Sequence, residues 1–197
     1  VLRLIRRIGG DLIRRRSLWD ALRTISSFAA TKFGHYDLDP YYPWLEWLMS
    51  ENEAEGHQIT LYFISDHSAG DIDGVYDVDE PIIQELMTRA LEGGHDIGLH
   101  PSYATYRDSG QLAEEQIILT RSVRRISPDF VLRACRQHFL RWSVRETASH
   151  QSAAGLCVDS TLGYADAAGF RAGVCYEFGM YDLSNRCPLP IRQRPLI

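Results

Sequence analysis

The chain has 197 residues and a mass of 22.5 kDa, enough for one domain with a sizeable core and too little for two ordinary ones. Hydrophobic residues make up 45% and charged residues 24%, with a mean hydropathy of -0.24, which excludes wholesale disorder, a collagen-like repeat and a disulfide-dense miniprotein. A net charge of -5 and a pI near 5.8 argue against nucleic acid as the main partner, because counterion release needs clustered surplus cations.

In chain order, residues 1–30 carry apolar side chains at helical spacing (Leu4, Ile5, Ile8, Leu12, Ile13, then Leu18, Trp19, Leu22, Ile25), with a break expected near Gly9-Gly10. The first 23 residues hold seven arginines against Asp11 and Asp20, a local +5. This reads as a solvated arginine face on an amphipathic helix, with membrane-surface binding as the other reading. The stretch "GHYDLDPYYP" is a loop whose Asp37 and Asp39 order the start of a helix over 43–55. That helix should bury Trp44, Leu45, Trp47 and Leu48 and be closed by Gly56.

The apolar run at 58–65 predicts a strand buried on both faces. An acidic, glycine-punctuated loop follows, "DHSAGDIDGVYDVDE", which lacks the order of a calcium loop and reads as solvated. Further helices are expected over 81–91, 109–126 and from the capping box Ser143-Val-Arg-Glu146 to Gly155. Strands are expected at 95–100, 130–139, 156–163 and 170–178, and "PLPIRQRPLI" is strand-like or turn-like. Two segments run from helix through Gly-His into a strand, the βα rhythm of a parallel sheet, either doubly wound or a βα barrel. The absence of a Gly-x-Gly-x-x-Gly or Walker loop argues against a nucleotide-binding version.

Cys135, Cys157, Cys175 and Cys187 have no metal-site spacing and read as buried free thiols in a reducing compartment, so a cytoplasmic location is expected. No apolar run is long enough to cross a bilayer, and none resembles a signal-peptide core. A chain that starts at Val1 and stops at Ile197 in a strand-like segment is expected to be cut at both ends.

Polar residues at strand C-terminal ends gather at one mouth of a barrel. Here they are His100 and Ser102, Arg136 and His138, Asp159 and Thr161, and Arg171. A spacing of two within each pair points both side chains to one face. Imidazole and carboxylate are the usual ligands of first-row metals, so a hydrolytic metal site is the functional reading. The plain alternatives are a hydrogen-bonded His100, a packed His138 and an Asx turn at Asp159 with Ser160 and Thr161. His57 and His95, at strand starts, read as structural.

Taken together, "GGHDIGLHPSY", "RQHFLRW", "DSTLGYADAAGFRAG" and "CYEFGMYDL" resemble the polysaccharide deacetylase (NodB-homology) superfamily, in a divergent bacterial branch with a Gly-Leu-His-Pro-Ser motif. The resemblance covers about residues 37–183, with the four motifs in order. It implies an α/β fold, a distorted (β/α)7 barrel here incomplete at both ends, over residues 1–197 as a single partial domain. It also implies a divalent metal, commonly zinc, and hydrolysis of acetyl groups from an N-acetylated sugar or polysaccharide. On that pattern His100 and His138 bind metal, Arg136 and Asp159 are catalytic residues that orient the site, and Ser102, Tyr103, Tyr164 and Arg171 face the carbohydrate. Two departures stand out. Ala104 occupies the place of the family's second histidine, so His138 would supply that ligand from the next strand; the family's aspartate-bearing first motif and late histidine are not visible. The alternative is a degenerate barrel that binds a glycan without a working metal centre.

Overall fold

The computed structural model of the chain describes residues 2–35, 38–39 and 41–196, which form two compact units, 1–57 and 58–197. The first unit is helical, with α1 (Leu2–Ile13), α2 (Leu18–Lys32) and α3 (Tyr42–Ala54). The helix passes through Gly9-Gly10 and breaks instead at 14–17. There Arg16 takes a left-handed φ of 50°, and Ser17 caps α2 by accepting a hydrogen bond from the Asp20 N–H at 3.1 Å. Two glycines cost a helix roughly 1 kcal/mol each, and packing of α1 against α2, with Asp11 tied to Thr24 Oγ1 at 2.9 Å, opposes that cost. In α3 the buried residue is Met49, while Trp44 and Trp47 are more than half exposed and stack edge-on with centroids 5.5 Å apart. The expected tryptophan-lined buried face is therefore corrected. Asp39 Oδ1 does order the helix start, accepting from the N–H groups of Tyr41 (2.7 Å) and Tyr42 (3.2 Å), whereas its companion Asp37 lies outside the described residues.

The second unit is α/β. Its strands are β1 (Thr60–Phe63), β2 (Asp96–Leu99), β3 (Ala134–Cys135), β4 (Val158–Asp159), β5 (Phe178–Asp182) and β6 (Cys187–Gln193). They form one sheet in the order β1-β2-β3-β4-β6-β5, parallel except for the antiparallel β5–β6 pair. The crossovers are α4 (Pro81–Glu92), α5 (Ser109–Val123) and α6 (Thr147–Ala153), so each of the first four strands returns beside its predecessor. The strictly sequential strand order lacks the order reversal of a doubly wound fold, and the general right-handedness of such crossovers predicts all three helices on one face of the sheet.

Register assigns the two faces. Phe63 pairs with Leu99, Leu99 with Cys135, and Cys135 with Asp159; all four are buried on the face that also receives Gln151 of α6. The opposite face carries Tyr62, Gly98, Arg136 and Ser160. Gly98 has to be glycine there, because a Cβ would lie 2.5 Å from the Tyr62 ring. Core side chains such as Ile97, Leu99, Leu112, Leu119 and Val123 are fully buried, each stabilising the fold by roughly 1.5–3 kcal/mol.

Four expected elements differ, the first being the strand expected over 156–163, which pairs only at Val158–Asp159 before the Asp159–Thr161 turn ends it. The strand expected over 130–139 pairs only at Ala134–Cys135, since Phe139 and Leu140 adopt left-handed φ values of 56° and 52° and turn the chain away. Helix α6 starts four residues after Ser143, whose Oγ donates to Glu146 Oε2 at 2.7 Å in the preceding turn. The segment 170–178 is a series of turns, with Gly169 and Gly173 at φ values of 131° and 73°, and pairing begins only at Phe178. The cysteine reading is corrected in part: all four thiols are free, but only Cys135 is buried.

Candidate functional site

Strands β1 to β4 end along one edge of the sheet, and the segments leaving that edge converge on His100, His138 and Asp73. His100 follows β2 directly, its backbone N–H donating to the Phe63 carbonyl at 2.8 Å. His138 lies in the turn after β3, so the spacing of two does not align it with Arg136. Its ring nonetheless meets that of His100, where His138 Nδ1 and His100 Nε2 lie 3.0 Å apart. The rings meet edge-on with centroids 5.0 Å apart.

The outer partner of His138 settles its tautomer. His138 Nε2 lies 2.9 Å from the Ile72 carbonyl, which can only accept, so Nε2 carries a proton and Nδ1 is the nitrogen turned towards His100. A backbone carbonyl on the far nitrogen is the arrangement that orients metal-binding histidines. His100 is held neutral: burial, then the neighbouring His138, lowers its pKa from 6.5 to about 4. Its Nδ1 is buried.

Asp73 was read as part of a solvated loop, and the structure buries it. Its Oδ1 accepts from the Tyr103 N–H at 2.6 Å, its Oδ2 accepts from the Ala69 N–H at 2.7 Å, and Oδ1 lies 3.9 Å from His138 Nε2. Glu115 of α5, also fully buried, grips the turn after His100 by accepting from the Ser102 N–H at 2.8 Å and from the Ser102 hydroxyl. Burial raises the Glu115 pKa from 4.5 to about 7 despite these bonds. With its own proton directed to Glu115, Ser102 Oγ accepts from the Ser68 hydroxyl at 2.6 Å, and Ser68 Oγ in turn accepts from the Ala104 N–H at 2.9 Å. Arg141 completes the clamp, donating to the Tyr103 carbonyl at 2.7 Å with its guanidinium 3.9 Å above the Tyr103 ring.

The remaining expected site residues are placed as follows. Arg136 lies on the Tyr62 face, its guanidinium 4.6 Å from the Tyr62 ring centroid and its Nε donating to Ser160 Oγ at 3.0 Å. Asp159 is on the opposite, helix-covered face and fully buried. Its Oδ1 accepts from Thr161 Oγ1 (2.5 Å) and Gln151 Nε2 (2.8 Å), and its Oδ2 from the Thr161 N–H (2.8 Å). This is the Asx-turn arrangement weighed above, and burial raises its pKa. Ser102 is fully buried, and Tyr103 is half-buried with its ring edge-on to the exposed Phe139 at 5.7 Å. Arg171 is exposed, donating to the Leu140 carbonyl at 3.2 Å, and Tyr164 is exposed beside Gly169. The structure thus joins His100, His138, Ser102 and Tyr103 and sets Asp159 apart.

Sequence reasoning missed Asp73, Glu115 and Phe139. Asp73 was within reach of the strand-end rule, since its loop leaves the C-terminal end of β1. Phe139 adjoins His138 and packs edge-on to it at 4.6 Å.

The two imidazole nitrogens are hydrogen-bonded to each other at 3.0 Å, closer than the roughly 3.3 Å between two nitrogens of one tetrahedral zinc, so a shared ion would have to replace the bridging proton and part the rings by a few tenths of an ångström. Among the described residues, no group of three or more His, Cys, Asp or Glu side chains forms a complete cage. The pair offers at most two nitrogen donors, and Asp73 lies on the far side of the His138 ring. No protein-family model, curated protein or solved structure matches the chain. No described helix is long and apolar enough to cross a membrane.

Proposed function

We propose that the chain carries the metal-binding edge of an amide hydrolase of the polysaccharide deacetylase type, acting on an N-acetylated sugar and built on a sheet belonging to a (β/α)7 barrel. The observation that carries this reading is the convergence of His100 Nε2 and His138 Nδ1 at 3.0 Å, from neighbouring strand ends and with the outer His138 nitrogen fixed by a carbonyl. The order of the four deacetylase-like motifs supports it. His100 and His138 would hold a divalent ion, zinc by preference, through two neutral imidazole nitrogens. When bound, the ion supplies Lewis acidity to the acetamide carbonyl.

The chain's own groups have separate tasks. Glu115, Ser102 and Asp73 fix the His100 and His138 loops, so that both nitrogens are aimed before anything binds. Tyr103 and Phe139 offer aromatic surface beside the histidines for an apolar sugar face, and exposed Arg171 and Tyr164 face the glycan further out. Arg136 brings positive charge to the same edge, and Asp159 holds the end of β4 from beneath as an orienting residue.

The test is calorimetric titration of the chain with zinc, alongside H100A and H138A, followed by acetate release from N-acetylated oligosaccharides. One site per chain in the wild type, lost in both variants with circular dichroism unchanged, together with zinc-dependent acetate release, supports the reading. Saturable binding of oligosaccharide without zinc binding or acetate release would favour the degenerate glycan-binding alternative, to which the two-donor count also points. A variant that still binds stoichiometric zinc would overturn the ligand assignment.

A further inference from the structure

The helical hairpin α1–α2 belongs to the first compact unit, and its closed end has an unusual distribution of side chains. Apolar residues lie outward around the turn: Ile13 is 78% exposed, Leu18 and Trp19 74% each, and Leu22 60%. Between and beside them Arg14, Arg15, Arg16 and Arg23 are also exposed. Of the two acids in the same stretch, one is buried and the other half-buried. Asp11 is 5% exposed, accepting from Thr24 Oγ1 at 2.9 Å with Arg15 at 3.7 Å, and Asp20 is half-buried. The seam between the helices thus holds polar groups, while the outer tip combines bulky apolar side chains with net positive charge.

We propose that this hairpin tip docks on an anionic phospholipid bilayer surface, with Leu18, Trp19 and Leu22 entering the headgroup boundary and Arg14, Arg16 and Arg23 meeting lipid phosphates. Indole and leucine side chains flanked by arginine are the composition of an interfacial anchor, and with Arg15 drawn to the buried Asp11 the arginines of the tip still outnumber its acids. A second copy is disfavoured because two such tips would bring like charges together. A groove for a partner helix is disfavoured because these side chains project individually into solvent. This inference is independent of the hydrolase reading.

The experiment is co-sedimentation of the whole chain with phosphatidylcholine vesicles, with and without phosphatidylglycerol, for the wild type, R14Q/R16Q and W19S/L22S. The wild type should bind only the anionic vesicles and be released by high salt. R14Q/R16Q should bind about 30-fold more weakly, from roughly fivefold per arginine at an anionic surface. W19S/L22S should bind roughly a hundredfold more weakly or worse. Since every substituted side chain is exposed, both variants should unfold at the wild-type denaturant midpoint; if one does not, the other carries the comparison. No wild-type sedimentation, equal sedimentation with neutral vesicles, or undiminished binding by R14Q/R16Q would overturn the proposal. A wild-type dimer that ignores vesicles and becomes monomeric in W19S/L22S would overturn it as well, assigning the face to a second copy.

Discussion

Replacing Glu115 with glutamine should change the slope of stability against pH, and the expected change can be worked from two buried groups. Glu115 has its pKa raised from 4.5 to about 7 by burial, so between those values the folded chain holds a proton that the unfolded chain has released. Its contribution is fully present below pH 4.5 and is lost as pH rises to 7. At about 1.4 kcal/mol per pH unit the loss is ~3 kcal/mol. His100 works in the opposite sense. Its pKa is lowered from 6.5 to about 4, so the unfolded chain binds the extra proton in that window and stability increases as pH rises through it. That gain is also ~3 kcal/mol. In metal-free protein the two slopes nearly cancel between pH 4.5 and 6.5. Glu115→Gln removes one of them and exposes the other. Urea unfolding at half-unit pH steps, with a chelator present, should give a variant whose stability climbs by ~3 kcal/mol relative to the wild-type profile. A constant offset does not matter, because the readout is the slope. Wild-type and variant profiles running parallel from pH 4.5 to 7 would show that Glu115 ionises as an ordinary carboxyl, and the account of the clamp around Ser102 would fail.

Two further substitutions test the packing that supports the site. Gly98→Ala places a methyl 2.5 Å from the Tyr62 ring and should destabilise by about 1–3 kcal/mol, read as a lower urea midpoint; an unchanged midpoint would mean that Tyr62 moves freely off β2. Asp159→Ala strands the Thr161 N–H, Thr161 hydroxyl and Gln151 amide and should cost at least about 1–3 kcal/mol, whereas Asp159→Asn should cost less. If Asp159→Ala unfolds at the wild-type midpoint, the buried clamp at the end of β4 contributes nothing.

The parts of the fold that were legible in the sequence are those in which local pattern and tertiary environment agree. Strands β1 and β2 are short apolar runs entered from Gly-His and left at polar residues, and α4 opens on Pro81 and closes at a glycine pair. The reading weakened where backbone torsion outside a strand decides the outcome. Nothing in the apolar content of 130–139 or 170–178 signals the left-handed turns at Phe139 and Leu140 or at Gly169 and Gly173. The histidine pair was legible as residue types at strand ends, but His138 lies in the turn at 138–140 beyond β3, so strand alternation does not set where its ring goes. Asp159 shows the converse failure. Alternation placed it at a strand end correctly, but parity turns it to the helix-covered face, and only the register across β3 and β4 reveals that. Asp73 and Glu115 escaped because their burial comes from segments distant in sequence, and an acidic loop or a helix position carries no local mark of such burial.

The central claim is that one divalent ion binds between His100 and His138. It is tested most directly by soaking crystals of the chain with zinc and recording an anomalous difference map at the zinc edge. The account predicts a single strong peak about 2.0–2.1 Å from both His100 Nε2 and His138 Nδ1. A map with no peak there, with the two rings still hydrogen-bonded to each other in the presence of zinc, would contradict it.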